Sequence, residues 1–124
     1  MSQLLFIAAG GALGAVLRFA VSNAVYAVTG RDFPYGTLTV NVLGSLLMGA
    51  FYVLLVERLV DAAEWRGFLL IGVLGAFTTF STFSIETLSL FENGEHLRAL
   101  ANMFFSVSLC VIATWVGVVA IRQL

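Results

Sequence analysis

Residues 75–84 read GAFTTFSTFS, and they lie inside a run, Gly67 to Ile85, that contains no Asp, Glu, Lys or Arg. The run approaches the roughly 20 apolar residues that a membrane-spanning helix needs. Its middle is not built like a lipid-facing segment, which would be filled with Leu, Val and Ile. Thr78, Thr79, Ser81, Thr82 and Ser84 alternate with Phe77, Phe80 and Phe83, and Gly72 and Gly75 precede them. Hydrogen-bonding groups and aromatic edges gathered at one membrane depth predict a site, or a helix break that makes one.

Working outward, Phe33 to Val56 and Ala99 to Ile121 are equally free of charge, and Leu4 to Val28 is interrupted only by Arg18. Hydrophobic residues make up 60% of the chain and charged residues 10%, far less charge than a soluble domain carries. The pattern predicts a single all-α domain over residues 1–124, an integral membrane protein with spans at about 4–28, 35–56, 67–90 and 99–121. The net charge is −1, all six basic residues are Arg, and they form no patch, which argues against a nucleic-acid partner. Cys110 is the only cysteine, so there is no internal disulfide, and His96 alone cannot build a metal site. No nucleophile–base pair appears, so an enzyme is the least supported class. Met1-Ser2-Gln3 lacks the basic region of a signal peptide, and Leu4 opens a run long enough to span.

The polar residues inside the spans carry the functional signal. Gly10 and Gly14, four apart, allow another helix to approach closely. Arg18 costs about 2.5–3.5 kcal/mol if it lies near the bilayer centre. Two roles fit it: snorkelling to the interface, or facing a watery cavity and drawing anions in. Asn41 needs partners that hydrocarbon does not offer; it predicts either an interhelical hydrogen bond or a donor aimed into a pore. Thr37 shares its face, with Gly44 and Ser45 a further turn along. Asn102, Ser106, Cys110 and Thr114 follow at four-residue intervals in the last span and predict one polar stripe, the wall of a narrow path. Glu86 and His96 are read as solvated residues at or beyond span ends.

Arg58, Arg66 and Arg122 fall on the N-terminal side of the membrane, and Arg31 and Arg98 on the other. That balance gives the positive-inside rule little to act on. It predicts insertion in both orientations and an antiparallel dimer, whose two subunits together line a path that four helices could scarcely enclose alone. The proposed path offers hydroxyl donors, an amide and phenylalanine edges, which carry positive partial charge, and no ring of carboxylates. Such a set replaces the water around a small anion.

Three stretches, GGALGAVLRF at 10–19, GTLTVNVLGSLLMG at 36–49 and GVLGAFTTFSTFS at 72–84, make the chain resemble the CrcB/Fluc family of fluoride channels over all four spans. The resemblance implies an antiparallel homodimer of either topology in the bacterial inner membrane, with two pores that export cytoplasmic fluoride passively and so protect against its toxicity. It implies that Asn41 is the pore asparagine, that Phe80 and Phe83 line the path with their ring edges, and that Ser81 and Thr82 are the adjacent hydroxyls. Ser106 and Thr114 would belong to the polar track of the fourth span, and Arg18 would stand near an aqueous vestibule. A break in the third span would hold one structural Na⁺ on the dimer axis through the backbone carbonyls of Gly75 and Thr78. Cys110 departs from the hydroxyl, and Asn102 from the larger aromatic hydroxyl, that the resemblance places there. Two rivals are a small proton-coupled drug exporter with four spans and a structural membrane subunit with no transport role. The first would need a carboxylate that the first span lacks; the second leaves the Phe, Asn and hydroxyl constellation unexplained.

Overall fold

The computed structural model describes residues 1–124. It is all-helical, with four helices long and apolar enough to cross a membrane: Ser2–Thr29, Tyr35–Arg58, Ala63–Glu92 and His96–Arg122. They are called here the first to fourth spans. Each takes in charged or polar residues beyond its apolar run, because side chains at helix ends reach the interface. Arg66 shows how such an end closes. Its Nη1 donates to the carbonyls of Leu55 (3.1 Å) and Val60 (3.2 Å), so the guanidinium covers carbonyls at and just past the end of the second span. That end is π-wound over Val53–Arg58, as is Arg66–Leu74 in the third span.

The loops pair at each end as an up-and-down bundle requires. Arg58 donates to the Ile121 carbonyl and Arg122 forms an ion pair with Glu57, which joins the end of the second span to the end of the fourth. At the opposite end Arg98 donates to the Asp32 carbonyl.

Two close approaches hold the bundle. The second and fourth spans meet at Gly49 and Gly117; a Cβ at either would strike the Thr114 or the Leu46 carbonyl. The first and third spans meet at Gly10 and Gly14, where a Cβ would strike the carbonyls of Phe68 and Val73. Small residues let backbones come this near, which is where association in lipid gains its van der Waals contact. The core is correspondingly thin. Val40 and Val53 are fully buried, and most large apolar side chains point outward, as they must in a hydrocarbon solvent.

Regular helix stops inside the third span. Thr78 (φ −87°, ψ 157°) and Thr79 (φ −151°, ψ 115°) have extended backbone between the helical turns Gly75–Phe77 and Phe80–Glu92. Helix resumes at Phe80 under a cap: Thr79 Oγ1 accepts from the Thr82 amide at 3.1 Å. This satisfies one of the N–H groups that every helix start leaves free.

Candidate functional site

The interruption exposes backbone groups that hydrocarbon cannot satisfy, and two other spans supply partners. Asn41 of the second span meets Thr79 twice. Its Nδ2 donates to the Thr79 carbonyl at 3.0 Å, and its Oδ1 accepts from the Thr79 amide at 2.7 Å. The side-chain amide thus stands in for a neighbouring peptide. Arg18 of the first span donates from Nε to the Ala76 carbonyl at 2.9 Å. Gly75 and Thr78 are treated differently. The amide that would serve the Gly75 carbonyl in a continuous helix, that of Thr79, goes to Asn41. The one that would serve Thr78, that of Thr82, goes to the Thr79 hydroxyl. Both carbonyls are left as free acceptors.

A cleft of about 410 Å³ opens beside the interruption. Asn41, Phe80, Phe83, Ser106 and Thr114 line it together with Ser45, Thr78, Thr79 and Cys110. The rings of Phe80 and Phe83 stand 5.4 Å apart between centroids at an interplanar angle of 48°. Phe80 keeps 78% of its surface uncovered, at the rim of a cleft that residues of the second and fourth spans line with it. No carboxylate lines the cleft. The Ser106 and Thr114 hydroxyls donate to Asn102 Oδ1 and the Cys110 carbonyl. The donors left to the cleft are therefore the Ser45 hydroxyl, the second N–H of Asn41 and the Cys110 thiol, set among aromatic rings and the apolar Met48, Val107 and Val111. That lining can meet a small anion and lacks the fixed negative charge that would hold a cation.

The other predicted residues lie elsewhere. Thr82 and Ser81 belong to the helix cap, with Thr79 Oγ1 2.9 Å from the Thr82 hydroxyl and 3.4 Å from that of Ser81. Arg18 and Gly75 lie outside the cleft lining. Asn102 departs from the single stripe read in the sequence. It is 1% exposed, donates to the Thr87 hydroxyl at 2.8 Å and accepts from Ser106 at 3.2 Å. Thr87 in turn donates to the Phe83 carbonyl at 2.7 Å. The reason is geometric: four-residue steps advance about 40° around a helix, so Asn102 and Thr114 are about 120° apart. Asn102 therefore faces the third span, while Thr114 reaches the cleft.

Glu86 is a second correction. The sequence predicts a solvated carboxylate near a span end, but the third span turns Glu86 toward the first. Tyr26 donates to Glu86 Oε2 at 2.9 Å, and the Tyr26 hydroxyl also lies 3.4 Å from that of Thr37. Oε1 is buried with no hydrogen-bond partner. The pair borders a vestibule of about 400 Å³ that Arg31, Asp32, Glu95 and Arg98 complete. Ser45, which the sequence places on the same face as Asn41, joins it at the cleft, whereas nothing in the sequence singles out Tyr26.

Comparison with known proteins places the same residues in context. Residues 5–118 match the family described as CrcB-like protein, Camphor Resistance (CrcB). The chain is 56% identical over 122 residues to a protein of Methylococcus capsulatus named Fluoride-specific ion channel FluC, covering 98% of this chain and 54% of that protein. It spans about half the length of that relative, and nearly all of two others. Proteins of the same name from Magnetococcus marinus and Coxiella burnetii are 52% and 48% identical, over 97% and 98% of this chain and 98% and 99% of their own length.

Proposed function

We propose a function from one premise: the chain belongs to the CrcB-like family. It is a multi-pass membrane protein that acts as a fluoride-specific ion channel, the activity for which its relatives are named. The observation that carries the reading is the cleft, where Asn41, Phe80, Phe83, Ser106 and Thr114 converge without a carboxylate. Fluoride gives up water reluctantly, and a path must return an equivalent set of donors. Ring edges, the second N–H of Asn41 and the Ser45 hydroxyl offer this without a full opposite charge, with Ser106 and Thr114 able to join by turning from their present acceptors, so the ion is held weakly enough to leave. Flow is passive. The membrane potential and the fluoride gradient drive it outward across the bacterial inner membrane, and no nucleotide is consumed.

The working unit is an antiparallel homodimer, with a pore on each side of the interface. Its support is the uncovered surface of Phe80, the exposed Gly75, and the nearly even division of arginines between the two membrane faces. The interruption at Thr78–Thr79 is the family's break in the third span. The free carbonyls of Gly75 and Thr78 suit a hard cation, which takes oxygen donors, and would hold a structural Na⁺ between the two copies. Bound there, Na⁺ would supply fixed positive charge and tie the subunits together. Ser81 and Thr82 hold the helix start that aims Phe80 and Phe83.

Fluoride efflux from liposomes holding the purified protein tests the function. An electrode should register fluoride release once a potassium ionophore relieves the opposing potential, and no chloride release in parallel. Well-folded protein that releases no fluoride overturns the reading. Site-specific labelling that finds every copy in one orientation overturns the antiparallel arrangement.

A further inference from the structure

The first span touches the third at three successive levels. Gly10 lies against the Phe68 carbonyl and Gly14 against that of Val73, each too close for a Cβ. Four residues on, Arg18 Nε donates to the Ala76 carbonyl at 2.9 Å. Ala76 stands in the last turn before the interruption, and Asn41 clamps Thr79 just beyond it. Neither ion pair in the chain includes Arg18, and it lies outside the cleft lining. Its directional contact is with backbone, at the one place where the third span has lost its own ladder.

We infer that Arg18 is a positioning residue: its Nε–H fixes the Ala76 side of the interruption, as Asn41 fixes the Thr79 side, and so sets where Phe80 and Phe83 stand. Conduction depends on this hydrogen bond rather than on the guanidinium charge. The inference deepens the channel reading and rests on it for its flux readout.

Glutamine and lysine separate the two properties. The Nε2 of glutamine is joined to Cδ, as the Nε of arginine is, so Arg18→Gln keeps a donor at the same reach and discards the charge. Arg18→Lys keeps the charge and puts a methylene where the donor stood. In proteoliposomes, Arg18→Gln should conduct fluoride within about threefold of the parent, while Arg18→Lys should lose about tenfold, the scale of one hydrogen bond to a buried carbonyl. The loss should fall on the maximal rate, with the half-saturating fluoride concentration unchanged. Amide exchange across residues 76–83 should quicken about tenfold in Arg18→Lys and stay at the parental rate in Arg18→Gln, since local opening follows local stability. A lysine variant that conducts while the glutamine variant does not assigns the role to charge and overturns the inference. So does equal conduction by both, or a glutamine variant that fails to fold or conduct. A parent protein that passes no fluoride defeats the channel reading instead, and the exchange comparison still decides whether the hydrogen bond holds the interruption.

Discussion

Of the three asparagines within the spans, Asn23 accepts from Arg31 near the end of the first, and the chain uses the other two, Asn41 and Asn102, in opposite ways. Asn41 holds irregular backbone: both arms of its amide go to Thr79, whose own helix has no partner for either group. Asn102 joins intact helices: its amide links the hydroxyls of Thr87 and Ser106, and every peptide around it remains in a regular ladder. The first is a substitute for secondary structure and the second is an addition to it. Similar chemistry at similar depth should therefore have unequal consequences, with the conduction path sensitive to Asn41 and the assembly mildly sensitive to Asn102.

Asn41→Asp gives the largest expected effect. A carboxylate has no donor for the Thr79 carbonyl, and it brings negative charge to the wall of an anion path. Orphaning one buried carbonyl costs about 1–3 kcal/mol, which as a barrier slows flux roughly ten- to a hundredfold before repulsion is added. Fluoride efflux at equal dimer content reads this. Flux within twofold of the parent would remove the distinction between the two asparagines.

Phe80→Ile and Phe83→Ile rank next. Each keeps apolar volume and removes a ring edge. If an edge contact is worth roughly 0.5–1.5 kcal/mol, flux should fall about two- to tenfold, with the dimer intact by size-exclusion chromatography. Unchanged flux in both variants would take the rings out of the path.

Asn102→Ala tests the other side of the comparison. Interhelical hydrogen bonds in bilayers average about 0.6 kcal/mol and reach about 1.7. The variant should lower the thermal unfolding midpoint modestly and keep flux within about threefold, because the Phe83 carbonyl retains the Thr87 hydroxyl. A collapse of flux without loss of stability would mean that this knot is part of the path.

Much of the fold was legible because lipid makes simple demands. Charge-free runs marked four spans, and glycines four apart marked one close approach. Part of the site was legible for a related reason: polar groups are so unwelcome in hydrocarbon that Asn41, Phe80, Phe83, Ser106 and Thr114 stood out, and the structure gathers them around one cleft. Partners were less legible than positions. Nothing local to Arg18 points to a carbonyl 58 residues away, since every residue carries one and only the interruption frees it. Glu86 fell inside the predicted 67–90 span, but a carboxylate within a turn of its end reads as solvated, and nothing local to it points to Tyr26, 60 residues away. The stripe in the fourth span was read as one face because each four-residue step looks small; three of them turn a side chain from the cleft toward a different neighbour.

Ser106 stands where the two regions meet, lining the cleft while donating to Asn102. Cys110, one turn further along, lines the cleft and makes no contact with the knot. It therefore isolates what a wall residue contributes by itself. A thiol is a weak donor and a serine hydroxyl a stronger one of smaller size, so Cys110→Ser should hold flux steady or raise it by about twofold, and Cys110→Ala should lower it by no more than about twofold. The neighbouring Thr114 hydroxyl is unaffected, since it donates to the Cys110 backbone carbonyl, which both variants keep. A tenfold loss in Cys110→Ser, measured by the same efflux assay at equal dimer content, would show that the width of the cleft at this level, and not the number of donors facing it, limits the ion.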